Sequence, residues 1–551
     1  MLRILYGTAG TGKSAAIMDE IRRGADSGER YILLVPEQYS HEAERELCAV
    51  CGDGLSLYAV VLSFTGLARE ISCVCGGAAN EYLDKGGRLL CMALAADGLY
   101  SRLRVYGAAR RKAELQTMLL GAVDEFKSAC VTSERLMQAS EACEGALGDK
   151  LHDLGLILEA YDGVVANGRA DPSDRLSVLA QQIGQCSMSE RTHVFVDGFT
   201  DFTAQERRVL EALLSKGVCL TVCLGCDELH GGSEVFALSR ITASALLKFA
   251  ADNGIKAQTE RFGGESTKAK PLGEFAENMF SYRAVEAGDA QGRIKIISAA
   301  DTNAECEFAA AEAVSLVRDT GCRWRDIAVC AKGFDDYRLP LESAFSRFGA
   351  PIYTARKADM LSKPLPMLIE SAYEIILGGW EADDVFDYLR TGFGGLDTDE
   401  CDELENYVFM WQLHGSAWTR AENWRLHPEG YGKQPDEASE QTLEQINLLR
   451  ETARRPLMRF AENAAAATTA TEQAQALASL FEDLHLADKL QARAEALEKD
   501  GRAAAAQEYA QLWDITVGAL EQCAAVLGDT PADAEYFGRL FSLMLSRYDI
   551  G

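Results

Sequence analysis

Short apolar runs alternate with amphipathic stretches at the start of the chain. LRILY (2–6) precedes AAIMDEIRRGA, YILLVPEQ (31–38) precedes SHEAERELCAV, and LYAVVLSF (57–64) precedes TGLAREISCV. A brief continuous apolar run reads as a strand buried on both faces, and 3.6-residue periodicity reads as helix. Repeated strand-then-helix units predict a parallel α/β sheet. From about 80 to 190 the pattern is almost wholly helical, as in AELQTMLLGAVDEFKSA, before HVFVD (193–197) and VCLTVCLG (218–225) return to strand character. The simplest reading is one sheet domain, residues 1–80 plus 190–255, with a helical insertion over 81–189.

Residues 256–291, rich in Gly, Lys and Glu, read as a linker or surface loops. GRIKIISA (292–299), a helix around AECEFAAAEAVSLVRD, DIAVCAK (326–332) and GAPIY (349–353) predict the start of a second α/β domain over 292–380. Helix dominates 381–551, including the Ala-rich AENAAAATTATEQAQALASLF, where apolar residues recur at helical spacing. The chain closes on the amphipathic RLFSLMLSRYDIG without a tail, which reads as truncation at 551.

Composition narrows the class. The 551 residues are 48% hydrophobic and 25% charged, as in a globular protein with ample core. Acids outnumber Lys and Arg 84 to 55, a formal charge of −29. That charge repels polyphosphate at long range, so nucleic acid would need a local groove. The start MLRILYGTAG has no apolar signal region, and no apolar run is long enough to span a membrane. The sixteen cysteines therefore read as free thiols in a reducing cytoplasm.

GTAGTGKS carries the chemistry. Gly7, Thr8, Ala9, Gly10, Thr11, Gly12, Lys13 and Ser14 fit the phosphate-binding loop pattern, between a strand and a helix as that pattern requires. Its glycines let backbone N–H groups approach phosphate oxygens at a helix N-terminus. Lys13 would reach the outer phosphates of ATP, and the Ser14 hydroxyl would ligate Mg²⁺. Asp197, at the tip of a buried strand, is the expected second magnesium ligand. Gly198 follows it, where a working ATPase usually carries a glutamate.

Other candidates fade. Cys219 and Cys223 fall on one face of a strand, where cysteine behaves as a small hydrophobe, so the C-x3-C-x2-C spacing with Cys226 is not read as a cluster site. Cys48 and Cys51 lack a second pair at zinc spacing. The seven histidines form no ligand set, and no catalytic nucleophile stands out.

The motif order resembles the first RecA-like domain of a superfamily 1 helicase. VLSFTGLA is similar to the T-F-H-x-L-A segment that meets single-stranded DNA there, and VDGFTDFTAQ to V-D-E-F-Q-D-T-N-x-x-Q. The opening P-loop, VPEQ, LSFTGLA, VDGFTDF, LENY (404–407), WRDIAV and APIY together resemble the AddB (RexB) family, along nearly the whole chain.

The resemblance implies two RecA-like P-loop domains, each with a helical insertion, and a subunit of a helicase–nuclease acting on double-strand DNA ends. Its partner would be an AddA-type motor, and the complex would degrade DNA until it meets a Chi sequence that the AddB-type chain reads. A nuclease domain holding an iron–sulfur cluster would lie beyond Gly551. In this chain Gly198 replaces the general base, Leu229 replaces a nucleotide-sensing glutamine, and Lys332 stands where an arginine usually faces the γ-phosphate. These departures predict binding of Mg-ATP without fast hydrolysis, and no catalytic residue. Gln38, Tyr39, Ser63 and Phe64 are the candidate DNA contacts, with Phe64 either stacking on a base or lying in the core. Tyr407 of LENY reads as ordinary packing. An active superfamily 1 ATPase, an unrelated P-loop phosphotransferase and a scaffold with a vestigial loop remain alternatives.

Overall fold

The computed structural model describes all residues except 53, 76–81, 110–111, 167–169, 187, 189–190, 264–269, 279–291, 355–357 and 551. Strands β1 (Leu2–Gly7), β2 (Arg30–Leu34), β3 (Ala59–Leu62), β4 (Thr192–Val196), β5 (Cys219–Gly225) and β6 (Ala257–Arg261) form one sheet. Their order is β3-β2-β4-β5-β1-β6, and every pair is parallel. Leu5 lies opposite Cys223 and Phe195 opposite Thr221. β5 thus separates the P-loop strand from the strand that leads to Asp197.

The sheet is covered on both faces, as a parallel sheet must be. On one side α1 (Lys13–Arg23) and α2 (Ser40–Cys51) bury Ile17, Ile21 and Leu47 with Leu5, Leu33 and Phe195. Further along the chain come α3 (Phe64–Cys75), α4 (Lys85–Gly98), α5 (Ala113–Ser128), α6 (Ser133–Ala142) and α7 (Ala146–Ala166). They are followed by α8 (Arg175–Gln185), α9 (Ala204–Ser215) and α10 (Ala237–Asp252). Helices α3, α8, α9 and α10 cover the second face, with Leu67, Ile183, Leu213 and Leu246 packed on Ile4, Val194 and Val222.

The remainder is helical: α11 (Lys270–Asn278), α12 (Thr302–Thr320), α13 (Phe334–Arg347), α14 (Pro364–Gly378), α15 (Ala382–Arg390), α16 (Thr398–Trp411) and α17 (Ser416–Thr419). After these come α18 (Glu437–Ala466), α19 (Ala470–Asp483), α20 (Leu486–Lys499), α21 (Ala503–Leu527) and α22 (Ala534–Leu545). Strands β7 (Ala358–Asp359) and β8 (Asp549–Ile550) pair antiparallel across this body.

Three expectations change. The linker reading of 256–291 fails at β6, an edge strand with all five residues exposed, whose polar sequence AQTER carries no apolar run. It fails again at α11 (Lys270–Asn278), while 264–269 and 279–291 lie outside the described residues. Among the described residues the second α/β domain has its helices but no sheet. Segments 292–299, 326–332 and 349–353 pair with no strand among the described residues, and Ile296 and Tyr353 are 95% and 91% exposed. Helices α12 and α13 form a small core of their own around Ala310, Leu341 and Phe345.

The two helical stretches also share one core. Leu89, Leu119 and Tyr161 belong to the same buried cluster as Tyr373, Trp418, Phe460 and Phe541. Helix α4 makes the join through a glycine. A Cβ on Gly86 would sit 2.6 Å from Tyr548 Oη and 2.9 Å from Met544 Cγ. Tyr548 cannot swing aside freely, because its hydroxyl bonds Asp84 at 2.7 Å. Gly86→Val is therefore expected to cost about 1–3 kcal/mol by overpacking. An unchanged urea midpoint would show that α4 does not need this close approach.

Candidate functional site

The P-loop, the Asp197 turn and the end of β5 meet at the C-terminal edge of the sheet, where parallel α/β folds place their ligands. They enclose a cavity of about 660 Å³. Residues 9–15 line one side, Asp197, Gly198, Phe199 and Thr200 the other, and Cys223 and Gly225 the floor, with Val235, Phe236 and Ser239 at the mouth. Gln205 and the Thr203–Glu206 capping box start α9 just beyond, which fixes where the Asp197 turn ends.

Gly12 caps α1 with a left-handed φ of +87°, makes no side-chain cap bond, and is followed by no acid in the first turn. The helix start therefore keeps its partial positive charge and has no anionic side chain of its own to meet it. Lys13 lies at the same point. Its ammonium donates to the carbonyls of Gly7 (2.7 Å) and Thr8 (2.9 Å) and to Thr11 Oγ1 at 3.4 Å. Burial pushes its pKa below the ordinary lysine value, against the opposing pull of Cys223 and Asp197. Burial pushes the Cys223 thiol up, so it stays neutral and is no nucleophile.

Asp197 extends β4 by donating its N–H to Leu34 O at 3.0 Å. It is the single carboxylate among the described residues lining the cavity. Gly198 has φ +83°, and a Cβ there would lie 3.2 Å from Pro36 Cδ. A side chain at 198 is thus disfavoured by backbone and by space alike. Lys13, Ser14 and a carboxylate are the donor set expected for a magnesium-bound triphosphate, and here they share one cavity. When bound, that group would supply the phosphoryl chemistry, while the chain's own residues would position it.

The remaining candidates scatter. Gln38 is exposed after β2. Tyr39 sits beside Gly198, its hydroxyl donating to Glu46 at 2.8 Å, and burial and that carboxylate raise its pKa to about 12. Ser63 Oγ accepts from Gly66 N–H at 3.1 Å and so starts α3. Phe64 is 5% exposed, edge-on to Phe199 at 5.5 Å and to Phe202 at 6.1 Å. Its ring belongs to the core, which corrects the stacking option at that position. Lys332 is exposed and is not part of the cavity wall. Leu229 packs against the sheet core. Tyr407 is buried, stacked on Trp424 at 5.5 Å, with its hydroxyl on Leu426 O.

Sequence reasoning missed Phe199, Thr200, Cys223 and Ser239 as cavity residues. Cys223 was findable, since it lies two residues before the ligand-side end of an apolar strand. Ser239 was not, because it reaches the cavity only through the packing of α10 on the sheet, where it donates to Thr200 O at 3.0 Å across 39 residues. Among the described residues no group of three or more His, Cys, Asp or Glu could hold a metal, and no helix is long and apolar enough to cross a membrane.

A parallel sheet with a glycine loop after its first strand, and an acid two strands away facing it, defines an α/β protein of the P-loop class. Within that class, the chain is similar to the AddB family along its whole length. The family profile described as "ADDB, N-terminal" matches residues 4–275. Similar relatives include proteins named as the B subunit of an ATP-dependent helicase/deoxyribonuclease. That of Desulforudis audaxviator is 33% identical over 98% of this chain and 48% of its own length. That of Acetivibrio thermocellus is 29% identical over the full chain and 49% of its own length. That of Caldanaerobacter subterraneus is 30% identical over the full chain and 48% of its own length. The chain thus spans about half the length of these relatives.

Proposed function

We propose that this chain is the helicase-like, nucleotide- and DNA-binding region of an AddB-type protein, one that holds Mg-ATP without turning it over. The full protein would pair with an AddA-type partner in the cytoplasm and process double-strand DNA ends for recombination, reading Chi. One observation carries the nucleotide part. The cavity offers Lys13, Ser14 and an uncapped helix start to a triphosphate, yet its single carboxylate among the described residues is Asp197, and Gly198 beside it has no side chain. A lone carboxylate committed to the metal leaves none to orient a water.

The test is a nucleotide titration beside a phosphate-release assay, each with and without single-stranded DNA. Saturable Mg-ATP binding with release at background supports the reading. Robust DNA-stimulated release would make the chain a motor in its own right.

DNA contact would fall on Gln38 and Ser63, at the edges of β2 and β3 that face the ligand side of the sheet. Against a net charge of −29, attraction is confined to that edge. Binding of an oligothymidylate is expected to be weak and to fall steeply as salt rises. Binding that is the same at low and high salt would contradict phosphate contact.

A further inference from the structure

Helices α14 and α22 pack side by side and leave a groove of about 810 Å³ along their outer seam. On α14 the groove face is Pro366, Ile369, Glu370, Tyr373, Glu374 and Leu377, one stripe at helical spacing. On α22 it is Glu535, Gly538, Arg539, Ser542 and Leu543, again one stripe. From 366 to 377 the stripe runs about 16 Å, three turns of helix.

The floor is apolar and the rim is acidic. Leu361 and Leu543, half-buried, and Leu377, 51% exposed, give the apolar surface, which lies over the buried Ile369. Glu114, Glu370, Glu374, Asp384 and Glu535 stand around it. Among the described residues the lining holds a single cation, Arg539, which is already paired with Glu535 at 2.9 Å. Burial raises the Glu374 carboxyl above its ordinary value, and so do the like charges of Glu370, Asp384 and Asp387. Asp384 is raised in the same way, by burial and then by Asp387, Glu381 and Asp383. The rim therefore carries an excess of negative charge. Such a surface repels DNA, RNA and anionic lipid alike.

We propose that this groove docks a basic amphipathic helix of a partner protein. Its apolar residues, at i, i+3 or i+4 and i+7, would lie on Leu361, Leu377 and Leu543, with lysine or arginine heads on Glu370, Glu374 and Asp384. A three-turn trough between two helices matches the helix-in-groove mode, and the charges select the basic face.

The test uses a fluorescent peptide of about 15 residues, long enough to hold a helix, with leucines on one face and lysines on the other. Anisotropy should show saturable binding to the whole chain. Glu370→Lys with Glu374→Lys should weaken it about tenfold or more, and Leu377→Gln should weaken it at high salt, where charge is screened. The control reverses Glu444 and Glu462, exposed acids on α18, and should leave affinity within about twofold. All these positions are exposed, so the variants should fold. Equal loss in the control pair would reduce the effect to general charge attraction and overturn the proposal. So would absence of saturable binding, or self-association through the groove that the peptide cannot displace.

Discussion

Lys13→Ala is expected to lose Mg-ATP binding by about 100-fold or more. One charge-assisted contact to phosphate is worth about 1.5–3 kcal/mol, and lysine makes more than one. Without nucleotide the variant gives up only three partly buried hydrogen bonds within the loop, so its melting temperature should barely move. With saturating Mg-ATP the unmutated chain should gain thermal stability and the variant should not. Paired thermal melts and calorimetric titration read both effects. Equal stabilisation of the two proteins would remove the P-loop from the account.

The same experiment extends to Gly198→Glu, which restores the missing acid in name. A non-glycine residue at φ +83° costs about 1–2 kcal/mol, and its Cβ would press on Pro36. Phosphate release should therefore stay near background while the fold weakens. Turnover in that variant would show that the Asp197 turn relaxes more easily than its geometry allows.

The second large effect lies in a buried ion network under the helical insertion. The Asp171 carboxylate is fully buried, is ion-paired with Arg88 at 2.9 Å, and accepts from Arg88 Nη2 (3.4 Å), Lys127 Nζ (3.1 Å), Tyr161 Oη (3.0 Å) and Ser173 N–H (2.9 Å). Arg88 also reaches Asp124, while Lys127 reaches Asp174 at 2.7 Å and Asp162 at 2.9 Å. Gln205 of α9 donates to Ser173 O at 2.8 Å, which ties the network to the sheet domain. Asp171→Ala would leave Arg88 and Lys127 with only their more exposed partners, Asp124, Asp162 and Asp174, and should cost about 3 kcal/mol, the low end for a broken buried pair.

The pH dependence follows from the shifts. Burial pushes Asp171 up, but Lys127, the Ser173 N–H and Arg88 outweigh it and hold the carboxyl below its ordinary 3.8. Its contribution is complete above that ordinary value and is lost as pH falls through the lower folded one. Lys127 is opposed by burial yet held above 10.5 by Asp174 and Asp171, so its contribution is complete below 10.5 and is lost at higher pH. Urea midpoints across this range should fall at the acid end in the native chain and more weakly in Asp171→Ala. A variant whose midpoint matched the native one at neutral pH would show that the network is worth little.

How much of this was legible depends on where each signal resides. The Ala-rich stretch near 470 shows the limit of periodicity alone. It reads as helical throughout, yet α18 stops at Ala466 and a capping box of Thr469 and Glu472 starts α19. That S/T-x-x-E signature is present in the sequence, but alanine propensity outweighs it there. Phe64 shows the opposite case. Nothing local distinguishes a ring that stacks on a base from one that packs on Phe199 and Phe202, 135 residues or more away in the chain.

The sequence by itself determined the phosphate loop, the buried strands around it, the acid at Asp197 and its glycine neighbour. Each rests on adjacent residues whose backbone needs are local: apolar runs, a glycine turn, a helix start. Tertiary structure alone decided the rest. It made a strand of the polar AQTER by pairing it with β1, and gave IKII and IAV no strand partner among the described residues, because a strand exists only beside another strand. It also merged two helical stretches, far apart in the chain, into one core, because burial is set by which faces meet and not by order along the chain.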